Sequence, residues 1–337
     1  MDPRERLFAV ANGMKTDRPP CICPGGMMNM MFEEIMDASG CPWPEAHSDA
    51  KLMAGLADAL YQAGGFENYG VPFCMTVEAE ALGARVDMGN KLCEPHVVDS
   101  PLTDCAQWKE LPALDIDACR IPVVREAISI LKVKDSGVPV IGNICGPISL
   151  AGTLVHMAVL LKAMRKTPEV AHAMLEYVSD QLIVYGKALL DAGADAICIS
   201  EPSGTGELLG PKHFAAYTVP YVNKVLEALP AKVKIVHICG RLNSVFEALE
   251  QLHCHIFSFD SIVSVKEIAP HLGGKAVMGN ISTAALGTMT PEHIERLTRH
   301  AMESGVDVVA PACGLPTTTP LKNVCALVDT VRKAVNK

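Results

Sequence analysis

Short, nearly unbroken apolar runs alternate along this chain with longer stretches in which apolar residues recur every three to four positions. Eight such runs are found: PPCICP (19–24), NYGVPF (68–73), VPVIGNICG (138–146), AICISEP (196–202), KIVHICG (234–240), IFSFDS (256–261), AVMGNIS (276–282) and VDVVAPACG (306–314). Runs of this length read as strands covered on both faces, as in a parallel sheet, and the 3.6-residue period between them reads as amphipathic helices. Three helical stretches open with Thr-Pro, at Thr167, Thr290 and Thr319, which places a cap and a proline at the first helical position. A further helix is expected over residues 3–13. Eight β/α repeats in some 300 residues, with no GxGxxG after any strand, predict a closed (β/α)₈ barrel of the TIM type rather than a doubly wound sheet. Residues 75–120, around Trp108, mix polar and apolar positions and are expected to form an excursion between the second and third strands, over the barrel mouth. No low-complexity linker interrupts the pattern, so the expectation is a single domain over 1–337.

Composition narrows the function classes. The net charge is −9 and 49% of the 337 residues are apolar, which disfavours a general nucleic-acid or anionic-membrane binder. No apolar run approaches a membrane span, and the N-terminus lacks a secretory cleavage pattern, so a cytoplasmic protein is expected. The 13 cysteines are spread from Cys21 to Cys325, many of them inside apolar strands, where reduced and buried thiols are expected rather than a disulfide framework.

Barrel chemistry sits where strands end. Side chains at i and i+2 of a strand share a face, so His237 and Cys239 at the end of the fifth strand converge while Ile238 turns outward. With Cys313 at the end of the eighth strand they form a Cys₂His set suited to zinc, with a fourth position left open. The alternative is a hydrogen-bonded core histidine with two inert cysteines. Asp260 and Asn280, at neighbouring strand ends, are candidates to support His237 or touch a ligand, or else to close βα turns. Glu201 is a candidate fourth ligand, or a helix or loop cap. Met27, Met28, Met30 and Met31, in GGMMNMM, offer a pliable apolar surface or simply fill an amphipathic helix.

HICG, the distant PACG followed by LPTTTPLKNV, GFENYGVPFCMTVEAEALGA and MGNIS together resemble the uroporphyrinogen decarboxylase superfamily, in its methylcobalamin:coenzyme M methyltransferase branch. The resemblance runs from RERLFAVANG to the last helix, and its HxC…C zinc signature falls on His237, Cys239 and Cys313. It implies a barrel enzyme that binds a small thiol, coenzyme M first among the candidates, at zinc. The thiol would take a methyl group from methylcobalamin or a methylated corrinoid protein, leaving Co(I). Arg241, directly after HICG, is a candidate partner for the coenzyme M sulfonate, or an exposed helix residue. The four methionines would face the corrinoid. Homocysteine and tetrahydrofolate are alternative acceptors, and decarboxylation of uroporphyrinogen is the alternative reaction. The decarboxylase carries an arginine pair in the first exit loop, whereas no Arg or Lys stands here between Arg18 and Lys51. No DxHxxG motif occurs, so the corrinoid would arrive free or on a partner protein.

Overall fold

The computed structural model describes residues 1–24 and 31–334. Among the described residues nine strands are present: β1 (Tyr69–Val71), β2 (Arg85–Asp87), β3 (His96–Asp99), β4 (Val140–Cys145), β5 (Ala196–Ser200), β6 (Val233–Ile238), β7 (Ile256–Phe259), β8 (Ala276–Ile281) and β9 (Val308–Pro311). Seven of them pair in parallel in the order β1-β4-β5-β6-β7-β8-β9, a curled sheet of the TIM-barrel type with helices around it. These are seven of the eight runs read from the sequence. Their residues are almost all buried, as expected of strands flanked by both a barrel interior and outer helices.

The first run, 19–24, is not a regular strand. It is reduced to one bridge between Cys21 and Val309, because its three prolines cannot donate to a ladder. The segment still fills the gap between β9 and β1. Val309 N–H donates to the Pro20 carbonyl (2.9 Å), Ile22 N–H to the Val309 carbonyl (3.1 Å) and Glu67 N–H to the Cys21 carbonyl (2.8 Å). The Asn68 side chain completes the seam, accepting from Cys23 N–H (2.8 Å) and donating to the Cys23 carbonyl (2.9 Å). Gly70 makes this approach feasible: a Cβ there would fall 1.3 Å from the Pro24 carbonyl oxygen.

The N-terminal helix runs Pro3–Ala11, shorter than expected. Asp2 and Glu5 form a capping box at its start, and Asn12 closes it. Two of the Thr-Pro starts behave as read, opening helices Pro168–Asp191 and Pro291–Glu303. At the third, Pro320 is itself the cap and the helix begins at Leu321. The excursion holds a short helix (Val77–Ala81), the antiparallel pair β2–β3 and a 3₁₀ turn (Cys105–Glu110). It is tied to the helix after β4 and to the loop after β9: Ser100 Oγ donates to the Thr153 carbonyl (2.7 Å) and Thr317 Oγ1 to the Leu92 carbonyl (3.3 Å). Trp108 packs outward against Tyr177, 5.5 Å between ring centres, and so anchors the excursion to a helix rather than facing the mouth. All thirteen cysteines are free thiols. Among the described residues no single helix is long and apolar enough to cross a membrane.

Candidate functional site

The register of the sheet brings the sequence candidates together. His237, one residue before the end of β6, pairs with Ser200 on β5 and with Ser258 on β7. Its ring is fully buried, and Nδ1 lies 3.0 Å from Ser258 Oγ while Nε2 lies 2.8 Å from Cys239 Sγ. Cys313, two residues past β9, places its sulfur 2.8 Å from that of Cys239, well beyond a disulfide bond length. One ligand atom from each of the three residues lies within 4.8 Å of the other two. Ile238 packs into the core on the opposite face, as the two-residue alternation requires.

Burial gives the cluster a direction. The imidazole is enclosed, while both cysteines are partly exposed, so one side is open. The two sulfurs also titrate as a pair. The Cys313 thiol is drawn down, chiefly by its hydrogen-bonding contact with Cys239 and further by His237. The Cys239 thiol is raised by that same contact and by burial. A soft donor set of one imidazole and two thiols, closed on one side and open on the other, fits zinc with an exchangeable position.

Ser258 escaped the sequence reading, although a signal was there. A serine between Phe257 and Phe259 in a fully buried strand faces the barrel while both rings face the helices. By engaging Nδ1 it leaves Nε2 free to point at the sulfurs. Ser258→Ala is expected to lower zinc affinity by about 10–100-fold with little change in fold, as read by chelator competition.

The remaining candidates divide. Asp260 and Asn280 close turns: Asp260 accepts from Ile262 N–H (3.2 Å) and Asn280 donates to the Val263 carbonyl (2.9 Å). Asp260 also accepts from Gly240 N–H (3.3 Å), directly after Cys239, and its charge adds to the rise of that thiol. It therefore steadies the turn carrying one of the sulfurs. Glu201 stands apart from the cluster and takes the capping role. Its buried carboxylate accepts from Ile148 N–H (2.8 Å), Ser149 N–H (3.0 Å), Gly204 N–H (3.0 Å) and the Ser149 hydroxyl. Burial lifts its pKa against these donors. Arg241 is exposed; its backbone N–H donates to Glu207 (3.2 Å), and its guanidinium makes no ion pair among the described residues. Met31 is fully buried in the core and so presents no outward face for a corrinoid, whereas Met27, Met28 and Met30 lie outside the described residues.

Two further acids went unread. Glu78 is buried, accepts from Cys145 N–H at the end of β4 (2.7 Å), and is pushed up to about 7 by burial. Glu94 lies on the excursion between β2 and β3, where burial first and the Cys313 charge second raise its carboxyl against His96. Nothing in the local pattern around either acid signals these contacts, which the excursion brings from distant positions.

A family model described as uroporphyrinogen decarboxylase matches residues 2–334. The chain belongs to this family. Within it, the chain falls in the methyltransferase branch. It is 33% identical over 336 residues to the methylcobamide:CoM methyltransferase MtaA of Methanosarcina barkeri, covering 96% of each chain. It is 31% identical to MtbA of Methanosarcina acetivorans, covering 97% of this chain and 96% of that one. A uroporphyrinogen decarboxylase from Geobacter sp. (strain M21) is 25% identical over 240 residues, 68% of this chain. Among solved structures, a methyltransferase from Methanosarcina mazei superposes with a TM-score of 0.93 at 31% identity, covering 99% of both chains. The protein is a methyltransferase built on this barrel.

Proposed function

We propose that this protein transfers a methyl group from a methylated corrinoid to a small thiol, and that His237, Cys239 and Cys313 hold a zinc ion to which the thiol binds. The observation that carries the reading is the convergence of one imidazole and two sulfurs on a single point with one open side. When bound, zinc would supply the acidity that keeps the acceptor sulfur as thiolate at neutral pH, the form that attacks carbon.

The chain's own residues do the rest. Cys239 and Cys313 would balance the ion's charge as thiolates, and His237 would contribute a ring nitrogen, the ring's orientation being fixed by Ser258. Asp260 holds the turn after Cys239. In the transfer a sulfur–carbon bond forms and a cobalt–carbon bond breaks, both electrons of the latter stay with cobalt, and the thiol proton is released. The donor comes from outside, free or on a corrinoid protein. The relatives' names specify methylcobamide and coenzyme M, so methylcobalamin and coenzyme M are the reference pair for assay, with homocysteine and tetrahydrofolate as the other acceptors. The absence of Arg and Lys between positions 18 and 51 weighs against a site for a polycarboxylate porphyrinogen.

The test combines metal analysis with the absorbance of methylcobalamin. About one zinc per chain is expected, with demethylation that requires a thiol, stops on chelation and returns with zinc. Full activity of a metal-free preparation overturns the zinc assignment. Absence of demethylation with every acceptor, methylcobalamin and corrinoid protein both having been tried, overturns the reaction.

A further inference from the structure

Two sulfurs in contact have a chemistry of their own, apart from any metal. Cys239 stands one residue past β6 and Cys313 two residues past β9, so both are carried by the turns that leave the sheet rather than by its ladder. Their sulfurs lie 2.8 Å apart, and both residues are partly exposed, within reach of a small molecule in solution.

That separation falls between two bonding arrangements. A disulfide closes to about 2.05 Å, whereas two thiolates on one tetrahedral zinc, each about 2.3 Å from the ion, stand about 3.8 Å apart. A movement of about 1 Å or less, of the size that loop backbone absorbs, reaches either one. The two arrangements exclude each other. A disulfide sulfur has lost the thiolate charge that binds the ion, and zinc occupies the lone pairs with which a thiolate attacks. The exposed thiols elsewhere are placed differently. Cys93 faces the Glu94 carbonyl (3.6 Å) and His96 Nδ1 (4.0 Å), and Cys119 faces the Glu80 carbonyl (3.9 Å), with no second sulfur in contact among the described residues.

We propose that Cys239 and Cys313 form a redox switch: without zinc they close to a disulfide by reducing a small-molecule disulfide, RSSR, and in that form the protein takes up no zinc. One cysteine thiolate attacks RSSR, a sulfur–sulfur bond forms between protein and RS, and the other half leaves as a thiolate. The second cysteine then attacks the protein sulfur of this mixed disulfide, and the remaining RS leaves. Two electrons pass from the cysteine pair to RSSR, and the two cysteine protons end on the two RSH released. The consequence for zinc rests on the zinc reading above, while the bond itself needs only the two sulfurs, and the test separates them.

The probe is bis(2-hydroxyethyl) disulfide, offered to the purified full-length protein after removal of metal by a chelator and to the same protein reloaded with zinc. Peptide mapping of the metal-free protein is expected to find Cys239 linked to Cys313, two hydrogens lighter and with no hydroxyethylthiol attached, while Cys93 and Cys119 stop at the mixed disulfide. Protein that holds zinc should form the link at least about tenfold more slowly. The linked protein should bind zinc at least about 100-fold more weakly, and a reductant should restore it. A lasting mixed disulfide at Cys239 or Cys313, a link from either to a different cysteine, or an equal rate in protein shown to hold zinc overturns the proposal. A Cys239–Cys313 link in a protein that takes up zinc in neither state would support the disulfide pair and count against the zinc reading; zinc uptake with no link under any condition would do the reverse.

Discussion

Cys239→Ala and Cys313→Ala are each expected to reduce thiol-dependent demethylation of methylcobalamin by about 1000-fold or more and to leave the purified protein with little zinc. The expected loss exceeds that for Ser258→Ala, because a bond-forming donor is deleted rather than a group that orients one. Each substitution leaves an imidazole and one sulfur, too few to close the inner side of a tetrahedral site. Both sulfurs are partly exposed, so truncation opens no sealed cavity, and the thermal midpoint should move by only a few degrees in metal-free protein. The check is metal content and rate on the same preparations. A variant that retains both zinc and activity would remove Cys239 or Cys313 from the site.

Glu201→Ala has the largest expected effect on stability. The carboxylate is fully buried and accepts from three backbone N–H groups and one hydroxyl, uniting the first turn of helix Pro147–Val155 with the loop after β5. Truncation leaves those donors buried without partners, and a cost of about 3–5 kcal/mol follows, read as a lower urea midpoint with an unchanged slope. Glu201→Gln keeps the shape but replaces one acceptor oxygen by a donor, and should fall between wild type and alanine. The two roles considered for Glu201 separate here. As a cap, the glutamine variant keeps its zinc and loses stability; loss of zinc with stability intact would instead make Glu201 a ligand. The backbone adds a link to the cluster, since Glu201 N–H donates to the His237 carbonyl (2.9 Å), so severe disorder in this loop would reach the imidazole as well.

The barrel was legible because its signals are local and repeated. Seven of the eight apolar runs are strands in one parallel sheet, since burial on both faces leaves a pattern that no tertiary detail can disguise. The remaining run, 19–24, looked equivalent, yet its prolines limit it to a single bridge, and the Asn68 side chain helps to close the seam. Helix starts were half legible for a related reason. Thr-Pro suits a helix entry, but whether the threonine or the proline becomes the cap depends on the chain direction arriving at that point, and Pro320 took the role at the last helix.

His237, Cys239 and Cys313 were found from sequence because strand alternation and strand ends suffice to aim them, however far apart they lie in the chain. Their convergence needed only that the sheet curl. What surrounds them did not follow from pattern. Ser258 engages His237 through the register of β6 against β7, and Glu201 turned out to hold a helix entry. These contacts depend on strand register and on where the loops after the strands settle, and irregular backbone has no periodicity to read. Alternation along the chain thus determined the barrel and the identity of three converging donors, while the fold in three dimensions decided which neighbours orient, steady and charge the space around them.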